Sequence, residues 1–200
     1  MKPTDLAKHL TDFLSKYLPG ERGMSHNTVI TYKDTFILLF NFMKEVREIA
    51  INQLKINQIT KEIIVEFLEW VQSERSCSVS TRNARLAAIR SFFAYLQYQD
   101  LENLYECQKI LSIPVKKAEK KAIKYLSLEG IKLLLEQPDR KNKKERRDLA
   151  ILALMYDTGT RVQEIADLKV GNLRRTSPYT LTITGKGNKT RIVPLLENQI

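Results

Sequence analysis

Apolar residues in the first half of this chain recur at helical spacing, and one stretch, Tyr179-Thr180-Leu181-Thr182-Ile183-Thr184, alternates with threonine as a half-buried strand does. That patterning restricts the chain to a mainly α fold with a small β-hairpin. Leu6, Leu10, Phe13, Leu14 and Tyr17 mark a first helix, which Pro19-Gly20 is expected to stop. Ser25 or Asn27 can cap a second, striped by Val29, Tyr32, Phe36, Leu39, Phe40 and Met43. Thr60 can cap a third, with Ile63, Ile64, Phe67, Leu68 and Val71 as its apolar face. Ser78 or Ser80 begins a fourth, carrying Leu86, Ile89, Phe92, Phe93 and Leu96. Four amphipathic helices of this size make a small helical domain, assigned to residues 1–108.

Beyond it the pattern breaks. Residues 109–123 contain Pro114 and lack amphipathic periodicity, so they read as a basic linker. The lysines at 116, 117, 120, 121 and 124 serve equally well as a solvated run or as a track along a phosphate backbone. From residue 124 to 200 a second domain is expected. Ser127 can cap a helix with Leu128, Ile131, Leu134 and Leu135 inward. A charged loop, Lys141 to Arg147, precedes a helix around Leu149, Leu152, Ala153 and Tyr156, which Gly159 can close. Thr160 through Leu168 forms a short further helix, and Thr180–Thr184 and Arg191–Leu195 form two strands joined by a glycine-bearing turn. Two strands are a marginal sheet on their own, so this domain is expected to be incomplete.

Charge adds a direction. The chain carries a net +10, yet residues 1–110 hold 14 Lys/Arg against 13 Asp/Glu while residues 111–200 hold 19 against 10. A surplus gathered in one half suits a polyanionic partner. Cys77 and Cys107, with His9 and His26, lack the spacing of a zinc site, so no metal is expected and both cysteines read as reduced and structural. No signal region opens the chain, and no run approaches the roughly 18 apolar residues of a membrane span. A cytoplasmic protein without membrane attachment is the expectation.

Two short runs carry chemistry. In Thr158-Gly159-Thr160-Arg161-Val162-Gln163-Glu164-Ile165, Thr160 and Gln163 have capping-box spacing, which puts Arg161 at the first helical position. Backbone N–H groups and the positive end of the helix dipole favour an anion there, and a guanidinium adds a fork matched to two phosphate oxygens. Glu164, three residues on, can hold that guanidinium; an ordinary surface Arg-Glu pair fits the same spacing. Lys186 lies 25 residues after Arg161, in Gly185-Lys186-Gly187-Asn188-Lys189. Flanking glycines let another backbone come close. The run is no Walker loop, because Asn188 stands where glycine must precede the Lys189-Thr190 pair.

The stretch Leu149 to Leu168 resembles the first arginine box of the tyrosine site-specific recombinases, the phage-integrase family with Xer-type enzymes as close relatives. Gly185-Lys186-Gly187-Asn188-Lys189-Thr190-Arg191-Ile192-Val193-Pro194-Leu195 is similar to that family's catalytic-lysine hairpin. Ser80-Thr81-Arg82-Asn83-Ala84-Arg85-Leu86, leading to Arg90-Ser91-Phe92-Phe93, is similar to its N-terminal core-binding domain. The resemblance implies a SAM-like core-binding domain followed by the first part of an α+β catalytic domain. It also implies metal-free, cofactor-free cleavage of double-stranded DNA through a 3′-phosphotyrosine, with several protomers assembled on DNA. Arg161 would bind the non-bridging oxygens, Lys186 would protonate the leaving 5′-oxygen, and Glu164 and Thr160 would support them. Arg82, Asn83, Arg85 and Arg90 on the fourth helix, with Thr28 and Lys33 on the second, are the candidate DNA contacts.

The family's second arginine box and its nucleophilic tyrosine find no match. All eight tyrosines lie at or before Tyr179, ahead of the lysine hairpin. The expectation is a chain that binds DNA without cleaving it by itself, either as a piece of a longer recombinase or as a shortened product. The alternative is a non-catalytic DNA-binding protein that occupies recombination sites or regulates a full-length relative.

Overall fold

The structure, a computed structural model, describes residues 3–119 and 122–196. The chain divides into two compact units on either side of residue 121. In the first, α1 (Asp5–Asp12) is capped by Thr4, whose hydroxyl accepts from the Ala7 amide. The expected stop at Pro19-Gly20 does not occur: the helix widens into a π-helical stretch, Phe13–Glu21, with Pro19 inside. Arg22 N–H reaches back five residues to Tyr17 O at 3.0 Å. A wider turn accommodates the proline ring, which would collide with the carbonyl four residues earlier in an α-helix.

The next helices start at serine or threonine caps. Ser25 opens α2 (His26–Glu45), Thr60 opens α3 (Lys61–Ser73) and Ser78 opens α4 (Val79–Leu96). Each cap side chain accepts from the amide three residues on, satisfying one of the donors that a helix start leaves free. The stripes read from sequence meet in one core. Phe92 stands edge-on to Phe13 and to Phe36, both at 5.3 Å between ring centres, and Phe42 meets Phe67 at 5.7 Å. Full burial of such a ring contributes about 1.5–3 kcal/mol relative to exposure.

A fifth helix, α5 (Leu104–Leu111), is an addition to the four expected. It buries Cys107 and Ile110, and Ile113 beyond it is only 1% exposed, so the chain stays packed on the first unit past residue 108. Burial pushes the Cys107 thiol up to about 11, which leaves it protonated and structural at neutral pH.

The second unit opens with α6 (Leu128–Glu136), capped by Ser127. Of its expected inward residues, Ile131 and Leu135 are half-buried, whereas Leu128 and Leu134 are exposed. The charged run expected as a loop instead forms the first turns of α7 (Lys143–Thr158), capped by Asn142. Gly159 closes α7 at φ +60°, a conformation for which glycine carries no Cβ penalty. A single turn, α8 (Val162–Ala166), follows. The sheet has three antiparallel strands in the order β1 (Leu173–Arg174), β2 (Thr180–Thr184), β3 (Thr190–Pro194). The first was not expected. Leu181 and Ile183 of β2 face inward and are buried, as their alternation predicts. No helix of the described residues is long and apolar enough to cross a membrane.

Candidate functional site

The turn between α7 and α8 and the β2–β3 hairpin meet at one carboxylate, Glu164. The capping box lies one residue later than the Thr160/Gln163 spacing suggests. Arg161 occupies the N-cap position, and Glu164 Oε2 accepts from the Arg161 amide at 3.1 Å. Gln163 turns to Asp167 instead, and the buried Thr160 hydroxyl is shared with Thr158. The reason is chemical: a carboxylate is the stronger acceptor for a free N–H, and it sits in the right register only if the helix begins at Val162. Arg161 therefore stands just outside the helix, not at its first helical position, and α8 is a single five-residue turn.

The Arg161 guanidinium donates through Nη1 to Glu164 Oε1 at 2.9 Å, while its side chain remains 73% exposed. Glu164 is the inverse, a carboxylate only 5% exposed. A second cation reaches it from β3: Arg191 Nη2 donates to Oε2 at 2.7 Å. These donors, Arg191 first and the Arg161 amide next, hold the Glu164 carboxyl down at about 2 against the opposing effect of burial. Reciprocally, Glu164 raises the Arg191 guanidinium.

Gly185 lies against the same carboxylate. A Cβ there would run into Glu164 Oε1, so this glycine is required by close approach, since its φ of −109° suits any residue. Gly187, at φ +74°, is required by the turn itself. The turn carries Lys186 exposed at its tip, and Gly185 N–H closes it on Lys189 O at 2.8 Å. Arg161, Glu164 and the base of the Lys186 turn are thus brought together, with Thr160 buried beside them.

In the first unit, the predicted fourth-helix residues divide. Arg82 is 4% exposed, and its Nη1 donates to Pro114 O and to Asn83 Oδ1, both at 3.1 Å. Among the described residues its Nε has no hydrogen-bond partner, and burial lowers its pKa against the opposing charge of Glu69. Asn83 pairs like a strand residue with Lys116, donating to its carbonyl at 2.7 Å and accepting from its amide at 3.2 Å. These two side chains hold the chain after α5, and the buried Arg82 is placed as a clamp on that segment. Arg85, half-buried, ties α4 to α2 through Thr35 Oγ1 at 3.1 Å. Arg90 is half-buried, Lys33 is exposed, and the Thr28 hydroxyl is 3.0 Å from that of Ser25.

Arg191 is the site residue that the sequence reading missed. The reason lies in the strand pairing, which the sequence does not fix. Arg191 sits opposite Ile183 in the register, so it shares the inward face, where a lone cation needs a partner.

A helical first unit followed by a helix-and-hairpin unit that joins an arginine to a lysine turn through one buried carboxylate defines the class, and comparison with known proteins gives the family. Residues 10–100 match the model for the phage integrase N-terminal SAM-like domain, and residues 124–200 match that for the phage integrase family. Two Sinorhizobium fredii proteins named "Putative integrase/recombinase", y4rC and y4rD, are 33% and 30% identical over 98% and 95% of this chain. The chain spans 59% and 68% of their lengths. Tyrosine recombinase XerD of Vibrio cholerae is 32% identical over 90% of this chain and 56% of its own. The fold is shared with the XerH site-specific recombinase bound to its difH substrate, at TM-score 0.62 and 22% identity over 89% of this chain and 51% of that one. It is shared as well with the Tn1549 transposon integrase in complex with transposon-end DNA, at TM-score 0.61 and 13% identity over 93% and 57%. The chain belongs to the phage integrase family of tyrosine recombinases.

Proposed function

We propose that these residues form the DNA-holding and phosphate-binding part of a site-specific recombinase, acting in the cytoplasm on double-stranded DNA together with further protomers. The first unit, including α5 and the segment clamped through Lys116, would be the core-binding domain, the basic run after it a linker, and 124–200 the portion of the catalytic domain that carries Arg161 and Lys186. The observation that carries this reading is the Glu164 junction, where one buried carboxylate engages the Arg161 guanidinium and abuts the base of the Lys186 turn. An exposed guanidinium held by one nitrogen keeps further donors for a phosphodiester's non-bridging oxygens. Lys186, exposed at a turn tip, would give its proton to the 5′-oxygen as a tyrosine oxygen bonds to phosphorus and the P–O5′ bond breaks. None of the eight tyrosines follows Tyr179, so the 200 residues alone would hold DNA without becoming linked to it. XerH and the Tn1549 integrase, which share the fold, are seen on DNA, and that supports DNA as the partner here. In the first unit Asn83, Arg85, Arg90, Thr28 and Lys33 are the proposed contacts, with Arg82 acting through the segment it holds.

The test is a nicked suicide substrate run on denaturing gels, alongside equilibrium binding across a salt series. The expected result is salt-dependent binding with no covalent adduct, and a log–log salt slope that falls by about 1 for Arg161→Ala and again for Lys186→Ala. A covalent adduct would show that one of the eight tyrosines serves as nucleophile and overturn the binding-only part of this reading.

A further inference from the structure

Arg191 has no part in the chemistry set out above, yet the centre of the site turns on it. In the β2–β3 register it stands directly across from Ile183, and Leu181 stands across from Val193. Directly opposed residues of an antiparallel pair project from the same face, so Arg191 emerges on the side where Leu181 and Ile183 are buried, while Ile192 points outward and is 68% exposed. An apolar residue outside and a cation inside is the reverse of ordinary strand patterning, and it calls for an anionic partner. Glu164 is that partner.

The bonds around Glu164 divide by oxygen. Oε2 accepts Arg191 Nη2 at 2.7 Å and the Arg161 amide at 3.1 Å, and Oε1 accepts Arg161 Nη1 at 2.9 Å. With Oε2 held from the sheet, the carboxylate plane cannot turn without losing one of these bonds. Oε1 is thereby aimed at Arg161 on one side and packed on Gly185 on the other. Arg191 itself is 37% exposed against 73% for Arg161.

We propose that Arg191 is a positioning residue: acting through Glu164, it sets the direction in which Arg161 is presented and the seat of the Lys186 turn. This rests on the reading of Arg161 as a phosphate ligand. A single carboxylate then couples two segments that lie far apart in sequence, and a change on β3 is felt at the arginine rather than locally.

The experiment is a double-mutant cycle on the 200-residue chain, reading affinity for a short mixed-sequence DNA duplex at fixed low salt, with a carbon-detected NMR titration of the Glu164 carboxyl run in parallel. Arg161→Ala is expected to weaken binding roughly tenfold, the value of one charge-assisted hydrogen bond. Arg191→Met should lose most of that factor, and the double variant should bind no more weakly than Arg161→Ala. Arg191→Lys, which keeps a donor for Glu164 but not the planar fork, should show the same non-additivity at smaller amplitude. In the titration, Glu164 should move from about 2 toward the ordinary 4.5 when Arg191 is replaced by Met. Losses that multiply would mean that Arg191 meets DNA itself or only supports the fold, and would overturn the proposal, as would an unmoved Glu164 titration. Affinity untouched by Arg161→Ala would instead remove the reading of Arg161; the titration, which needs no DNA, separates the two failures.

Discussion

At the scale of single residues, the site turns on a carboxylate whose charge is protected. Glu164 titrates at about 2 in the folded chain against 4.5 ordinarily. Because its folded value is depressed, the stability it contributes is complete above pH 4.5 and is lost as pH falls through about 2, where protonation removes the negative charge that pairs with both arginines. We therefore expect the unfolding midpoints of wild type and Glu164→Gln to differ by a constant amount above pH 4.5 and to converge as pH approaches 2. Urea melts across that range check it, and a gap that persists unchanged at the acid end would show that the ion pairs are not its source. Sequence named three members of this junction, Arg161, Glu164 and Lys186, because each sits in a short run with a recognisable local role. The fourth, Arg191, depends on strand register and on which face a residue takes, and both are fixed only by pairing. The one-residue error at Thr160 has a similar origin: Thr160 and Arg161 head overlapping capping patterns, and the choice was made by the carboxylate that two arginines also needed.

At the scale of elements, strong local signals were legible and weak ones were not. The caps at Thr60 and Ser127 and the bounds Thr180–Thr184 follow from side-chain chemistry and alternation within a few residues. α5 and β1 are short, and they are held by tertiary context, α5 by the core it packs on and β1 by the strand β2 it pairs with, rather than by local signals. Pro19 misled for the opposite reason, since the signal was real and the π-helical widening absorbed it. The segment after α5 is the element whose role changed most. Arg82 holds Pro114 O, Asn83 pairs with both backbone groups of Lys116, and Lys116 Nζ reaches Gln72 Oε1 at 2.7 Å. Residues 114–116 therefore behave as part of the first unit. Cleavage by a protease needs a locally opened chain. In wild type, trypsin should cut after Lys124 well before Lys116, and Asn83→Ala should speed the Lys116 cut by about tenfold, the equivalent of roughly 1.4 kcal/mol from two lost hydrogen bonds. Mass spectrometry of early digests reads this directly, and equal rates at Lys116 with and without Asn83 would dismiss the clamp.

At the scale of the whole molecule, the helical first unit and the mixed second unit differ in what secures them. The first gathers Phe13, Phe36, Phe42, Phe67, Phe92 and Phe93 into one core, each at most 2% exposed. In the second, among the described residues, the buried apolar side chains are Leu181 and Ile183, both on β2. The helical part of that unit is looser: a groove of about 840 Å³ runs between α6 and α7 with Leu135, Leu149 and Ala153 on its walls, and Leu128, Leu133 and Tyr156 are exposed. Helices draw most of their stability from a packed apolar face rather than from intrinsic propensity. The cost of opening a helix should therefore track the burial of that face. Amide hydrogen exchange is expected to be slow across α3 and α4 and on the order of a hundredfold faster across α6 and α7, with β2 intermediate because both of its neighbours in the sheet hold it. The site then stands where the second unit is best held, at the sheet and the Glu164 junction, while the helices beside it open readily. If α7 amides exchanged as slowly as those of α4, the stability of this unit would have to come from something other than the packing of its helices.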